Sequence, residues 1–141
     1  MRRNHLSTVV LLIIVITAGC SISSKTPTSK PLPERPETLN NGTVKDYAKN
    51  MESSYIWNEY RGEYDQVSIG TMNITILNST DDEYIVHIEY TVGLEDFGST
   101  GDKKITANYL INGSVTKRSQ TNGHVSPGPD PRNGTLISKN S

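Results

Sequence analysis

The spacing of apolar residues changes once along this chain, near Gly62, and that change constrains the fold more than any other feature. From Asn41 to Tyr60, the residues Val44, Tyr47, Ala48, Met51 and Tyr55 recur every three or four positions, the pattern of a helix with one apolar stripe. Lys45, Asp46, Lys49, Asn50, Glu52 and Ser53 are expected on its solvated face. Thr43, with Asp46 three residues on, predicts the N-cap, and Gly62 the C-cap. Trp57 and Tyr60 lie off the stripe and are expected to cover a sheet edge.

Beyond Gly62 the spacing is two. Tyr84, Val86, Ile88, Tyr90, Val92 and Leu94 alternate with Ile85, His87, Glu89 and Thr91, which predicts a strand with one buried face. In the strand before it, Val67 and Ile69 stand in one phase and Met72, Ile74 and Ile76 in the other. Gly70 lies at the switch, where a β-bulge restores alignment. Asn78 to Asp82 is the connecting loop. Ile105, Ala107, Tyr109 and Ile111 predict a third strand, and Asn112-Gly113 a type I′ turn into a polar fourth strand, Val115–Ser119. Lys117 and Arg118 on that edge discourage aggregation. The expected fold is α+β: one N-terminal helix on a four-stranded antiparallel meander, a roll similar to cystatin-like and NTF2-like folds.

Only part of the chain carries this pattern. Of 141 residues, 33% are hydrophobic, but the segment 43–120 holds 29 such residues in 78, or 37%. We therefore divide the chain into a signal peptide (1–19), a cysteine and linker (20–42), the α+β domain (43–120) and a tail (121–141). Ser21 to Gly42 contains Pro27, Pro31, Pro33 and Pro36 among Ser, Thr and Lys, a composition too polar to offset the entropy of ordering it. As an extended tether it reaches up to about 65 Å. Pro127, Pro129 and Pro131 with Gly123, Gly128 and Gly134 interrupt the tail, so the linker is expected to be disordered and the tail either disordered or loosely packed over the domain.

The signal-peptide reading rests on Arg2-Arg3, the aliphatic run Val9–Ile16 and the small residues Thr17-Ala18-Gly19 before Cys20. The run is too short to span a bilayer core of roughly 30 Å. Ile16-Thr17-Ala18-Gly19-Cys20 resembles the lipobox of prokaryotic lipoproteins, and the resemblance implies that Cys20 is lipidated and becomes the first residue of the mature chain. As the one cysteine, Cys20 leaves no intrachain disulfide and no multi-thiolate zinc site. Asn41, Asn73, Asn78, Asn112 and Asn133 each begin an Asn-x-Ser/Thr sequon, in keeping with export and glycosylation. Lipobox and sequons together point to an archaeal cell surface.

Charge and motifs narrow the chemistry. A formal charge of −1 gives no basic excess for nucleic-acid binding. His87 and Glu89 share a strand face as a candidate metal or acid–base pair, without a third ligand at suitable spacing. Asp81-Asp82-Glu83 and Glu95-Asp96 read as solvated turns. No catalytic residue, cofactor or metal site is predicted. Tyr47, Tyr55, Trp57, Tyr60, Tyr64, Tyr84, Tyr90 and Tyr109 either fill a thin core or line a small-ligand pocket between helix and sheet.

Arg35-Pro36 through Thr43, Tyr47-Ala48, the Tyr55/Asn58 stretch and the Pro127–Asn133 segment resemble small uncharacterised surface lipoproteins of haloarchaea. The resemblance implies membrane attachment at the extracellular face through a lipid on Cys20. It supplies no activity. The expected function is a lipid-anchored, non-catalytic interaction domain with a surface-protein or envelope partner; the alternative is a ligand-binding or enzymatic domain using the aromatic-lined space.

Overall fold

The computed structural model describes residues 27–139. The signal segment 1–19 and Cys20 lie outside the described residues.

Helix α1 spans Asn41–Tyr60. Its N-cap is Asn40 rather than Thr43: Asn40 Oδ1 accepts from the backbone N–H of Gly42 at 2.9 Å and of Thr43 at 3.0 Å. Thr43 instead completes the capping box, its hydroxyl accepting from the Asn40 N–H at 3.0 Å. At the other end the cap is Arg61, in right-handed helical conformation, so Gly62 does not act as a left-handed cap. Val44, Tyr47, Ala48 and Met51 are buried as the spacing requires, but Glu52, Ile56 and Tyr60 are buried with them.

Among the described residues six strands follow: β1 (Gln66–Ile69), β2 (Asn73–Ser79), β3 (Glu83–Asp96), β4 (Ser99–Asn112), β5 (Val115–Asn122) and β6 (Thr135–Lys139). All pair antiparallel in the order β1-β3-β4-β5-β6, with β2 also on β3. The expected four-stranded meander is therefore extended in two ways. Its first strand divides into β1 and β2 at Gly70–Met72. Ile69 faces Val92 and Asn73 faces Glu89, so three residues on one side oppose two on the other, and the phase of the apolar residues switches there. The second addition, β6, comes from the tail.

Register assigns the faces. Tyr84, Val86, Ile88, Tyr90, Val92 and Leu94 of β3 lie with Ile105, Ala107, Tyr109 and Ile111 of β4 against α1, and all are buried. Tyr109 faces Arg118 of β5, which puts Arg118 in the core layer, 5% exposed. β5 is thus not an outer edge, and Arg118 does not guard one. On the opposite face, Ile85, His87, Thr106, Asn108 and Leu110 are also buried. That second covering is the tail, which is ordered here rather than disordered.

Asn108 shows how the tail is held. Its amide nitrogen donates to the carbonyls of Pro127 and Pro129 at 2.6 and 2.8 Å, while its Oδ1 meets His87 Nδ1 at 2.8 Å. Ser119 donates to Pro129 O at 2.9 Å, and Thr106 Oγ1 donates to Gly123 O and accepts from Val125 N–H at 2.8 and 2.9 Å. Gly128 (φ +77°) sits so close that a Cβ there would stand 2.9 Å from Thr106 Cγ2 and 3.0 Å from Asn108 Nδ2. At Gly134 a Cβ would fall 2.3 Å from the Arg118 carbonyl oxygen. The glycines read as helix and strand breakers therefore permit close approach to the sheet.

The linker also differs from expectation over its described part. Residues 27–38 form no helix or strand but run along α1 under hydrogen bonds. Arg61 donates to Pro27 O, Trp57 Nε1 donates to Thr28 O at 3.1 Å, and Lys30 exchanges two bonds of 2.8 Å with the Asn58 side chain. Lys30 Nζ lies 4.5 Å from the Trp57 ring centre. Farther on, Arg35 donates to Asn112 O, Thr116 Oγ1 and Ser138 Oγ.

One turn departs from its residue preferences. Phe97-Gly98, joining the 14-residue strands β3 and β4, has positive φ at both positions, +41° and +84°. That is the type I′ arrangement expected instead at Asn112-Gly113, where Asn112 Oδ1 accepts from the Ser114 and Val115 N–H groups, each at 2.9 Å. A left-handed phenylalanine is strained by roughly 1–3 kcal/mol.

Candidate functional site

The sequon asparagines lie at one end of the domain or at its middle. β3 and β4 close at one end with Glu83 opposite Asn112 and at the other with Asp96 opposite Ser99. Asn78 faces Ile85, Asn112 faces Glu83, and Asn133 follows Arg132, whose guanidinium pairs with Glu83 at 2.7 Å. Asn41 begins the helix beside Leu39, whose carbonyl accepts from the Tyr84 hydroxyl at 3.2 Å. Asn73, facing Glu89, lies midway. No sequon lies on the half that carries β1 and the Phe97 turn. Asn41, Asn73, Asn78 and Asn133 are exposed, and Asn112 is half-buried with only its side-chain oxygen engaged in the turn. The amide nitrogens of the four exposed asparagines thus sit where a sugar has room.

Sequence spacing did not reveal the buried charge cluster. Glu52 is fully buried and meets Arg118 in a two-pronged pair, Nε to Oε2 at 2.7 Å and Nη2 to Oε1 at 2.6 Å. The Tyr90 hydroxyl donates to Oε1 and the Tyr109 hydroxyl to Oε2. Arg118 Nη2 also donates to Gln120 Oε1 at 2.6 Å, and its guanidinium lies 4.0 Å from the Tyr55 ring centre. Each Glu52 oxygen therefore accepts one phenol and one guanidinium bond. The signal that could have found it is Glu52 itself, four residues after Ala48 and four before Ile56, both of which are buried.

Burial raises the Tyr90 and Tyr109 phenols well above 10.0, and the neighbouring Glu52 charge adds to it. Burial works against the Arg118 charge, but hydrogen bonding and attraction to Glu52 more than offset it, and the guanidinium is held still more firmly protonated. A pH dependence follows. Both phenols stay protonated in the fold and ionise freely once unfolded, so their contribution is intact below pH 10 and is lost as pH rises beyond it. Each removes about 1.4 kcal/mol per pH unit there. In denaturant titrations, the native chain is expected to lose stability more steeply between pH 10 and 12 than a Tyr90→Phe/Tyr109→Phe variant. Equal slopes would contradict the assignment.

The same cluster occupies the space between helix and sheet. Tyr47, Tyr60, Tyr84, Tyr90 and Tyr109 are buried there, Tyr47 with its hydroxyl 3.2 Å from Thr116 Oγ1. These five are packed as core; Tyr55 and Tyr64 are half-buried against it, and Trp57 lies half-buried against the linker at Thr28 and Lys30. Surface depressions lie beside the β3–β4 turn between Tyr64, Leu94 and Lys103, beside the bulge between Lys49, Gly70 and Met72, and between the linker and α1 at Pro33, Pro36 and Tyr47.

His87 is 4% exposed, with Nε2 3.4 Å from Glu89 Oε1. His124 contacts the Tyr90 carbonyl at 3.2 Å. Among the described residues no three His, Cys, Asp or Glu side chains come together as a metal site, and no helix is long and apolar enough to cross a membrane.

Comparison with known proteins finds no matching family model, curated protein or solved structure.

Proposed function

We propose that this chain is a lipid-anchored cell-surface protein, attached to the outer face of a membrane through Cys20 and presenting its α+β domain as a non-catalytic interaction module. The observation that carries this reading is the position of the one cysteine, directly after an aliphatic run and Ala18-Gly19 and before a Pro-rich tether. Four exposed sequons support an exported chain. The likeness to haloarchaeal surface lipoproteins belongs to the same reading, as does the comparison of the helix-on-sheet arrangement with cystatin-like and NTF2-like rolls. Its partner is a surface protein or envelope component.

Cys20→Ser is expected to move the protein from the membrane fraction to the soluble or secreted fraction. Intact-mass measurement of the native protein is expected to show a chain beginning at Cys20 with added lipid mass. Tight membrane association of the Cys20→Ser chain, or an unmodified Cys20, would refute the anchor.

A further inference from the structure

Phe97 is the most exposed large apolar side chain described, at 95%, and it stands in a left-handed conformation that glycine or asparagine adopts with less strain. The two-residue turn requires the positive φ, but among the described residues nothing covers the ring. Its backbone N–H is fixed by Asp65 Oδ2 at 3.2 Å, and Asp65 N–H donates to Glu95 O at 2.9 Å, so the turn is braced while the ring points away. Lys103 ties the same end to the helix, donating to the Tyr60 hydroxyl at 3.1 Å. A hydrogen-bonded turn presenting one bare phenylalanine is suited to shallow contact with an apolar phase.

The tether identifies which phase. The described chain begins at Pro27, bonded to Arg61 four residues before Asp65, hence at the Phe97 end of the domain. Seven residue steps separate Cys20 from Pro27, a span of at most about 25 Å. A lipid on Cys20 therefore keeps this end near the bilayer, and the earlier 65 Å reach does not apply because residues 27–38 lie along α1. The sequons occupy the remainder of the domain, where glycans stay clear of the surface. We propose that the Phe97 turn dips into the lipid surface to which the chain is anchored, as a second contact that orients the domain. This rests on the anchor reading above. Tethering supplies a high local concentration, so one aromatic side chain suffices where it would not hold a free protein. Around the turn Glu63, Asp65, Glu95, Asp96 and Asp102 outnumber Arg61, Lys103 and Lys104, so the contact is apolar and is not drawn by anionic headgroups.

The test couples unmodified chain starting at Cys20, through its thiol, to maleimide lipid in phosphatidylcholine vesicles. Phe97→Trp and, at the sequon end, the half-exposed Leu136→Trp are compared with the native chain, whose Trp57 supplies the background. The emission added by Phe97→Trp is expected to shift to the blue and be largely lost in vesicles of brominated lipid, while that added by Leu136→Trp is unchanged. Adding anionic lipid is expected to weaken the quenching. Absence of quenching for Phe97→Trp, or equal quenching of both variants, overturns the proposal. A blue shift without quenching that grows with surface density also overturns it, assigning the turn to contact between copies. Because the lipid is attached chemically, a native chain without lipid refutes the anchor reading separately, by intact mass.

Discussion

Ending the chain after Asn122 is expected to abolish cooperative folding at 37 °C. The removed residues supply β6, which pairs with β5, and the segment that covers the outer face of the sheet. Without them Ile85 and Leu110, now 8% and 5% exposed, face water, a loss of about 3–5 kcal/mol for the pair. The hydrogen bonds from Asn108 and Ser119 to the proline carbonyls go as well, each with a net worth of about 1 kcal/mol. A small domain has only about 5–15 kcal/mol of net stability. Thermal unfolding followed by circular dichroism would show a broad, low transition for the truncated chain against a sharp one for the native chain. Comparable sharp transitions would mean that the tail only rests on the sheet.

The contrast between this tail and the bulge at Gly70 shows what a single sequence makes legible. At the bulge the information is local: apolar residues change phase between Ile69 and Met72 with a glycine between them, and the ladder follows. The extent and main stripe of the helix were legible for the same reason; its caps were not, because Asn40 and Thr43 both suit an N-cap and share the box, and neither was the burial of Glu52 on the face read as solvated. In the tail, Pro and Gly remove local structure without indicating where the freed carbonyls go. Their partner, Asn108, lies about twenty residues back, on the outer face of β4. Likewise Arg118 in a polar strand is indistinguishable by pattern from a solvated arginine, and the acceptor that draws it inward is on α1, 66 positions away. Non-local polar pairing leaves no period. The sequons, by contrast, were fully legible as motifs, and only their segregation from the Phe97 end required the fold.

Glu52→Gln is expected to destabilise the domain by about 3–5 kcal/mol, because the amide leaves the buried Arg118 charge without a counter-ion. For a domain of this size that corresponds to a fall in melting temperature of about 10–20 °C. Arg118→Met is expected to cost a similar amount by stranding the carboxylate, and the losses should not add, since either change breaks the same pair. Replacing the whole cluster together, Glu52→Leu and Arg118→Met with Tyr90→Phe and Tyr109→Phe, is expected to recover most of the loss, as no buried charge or phenol then lacks a partner. Additive single losses, or a fourfold variant no better than the singles, would show that the pair does not act as a unit. Recovery of stability need not restore uniqueness. β5 reads Val-Thr-Lys-Arg-Ser-Gln-Thr-Asn, polar on both faces, so apolar alternation does not fix its register. A slip by one residue would turn Lys117 and Ser119 toward α1; in the native chain only Arg118 can reach Glu52. The fourfold variant is therefore expected to melt near the native temperature yet show faster amide exchange along β5 and β6 than along β3. Native-like protection in all three strands would place register control elsewhere, in the Arg35 bonds to Thr116 and Ser138.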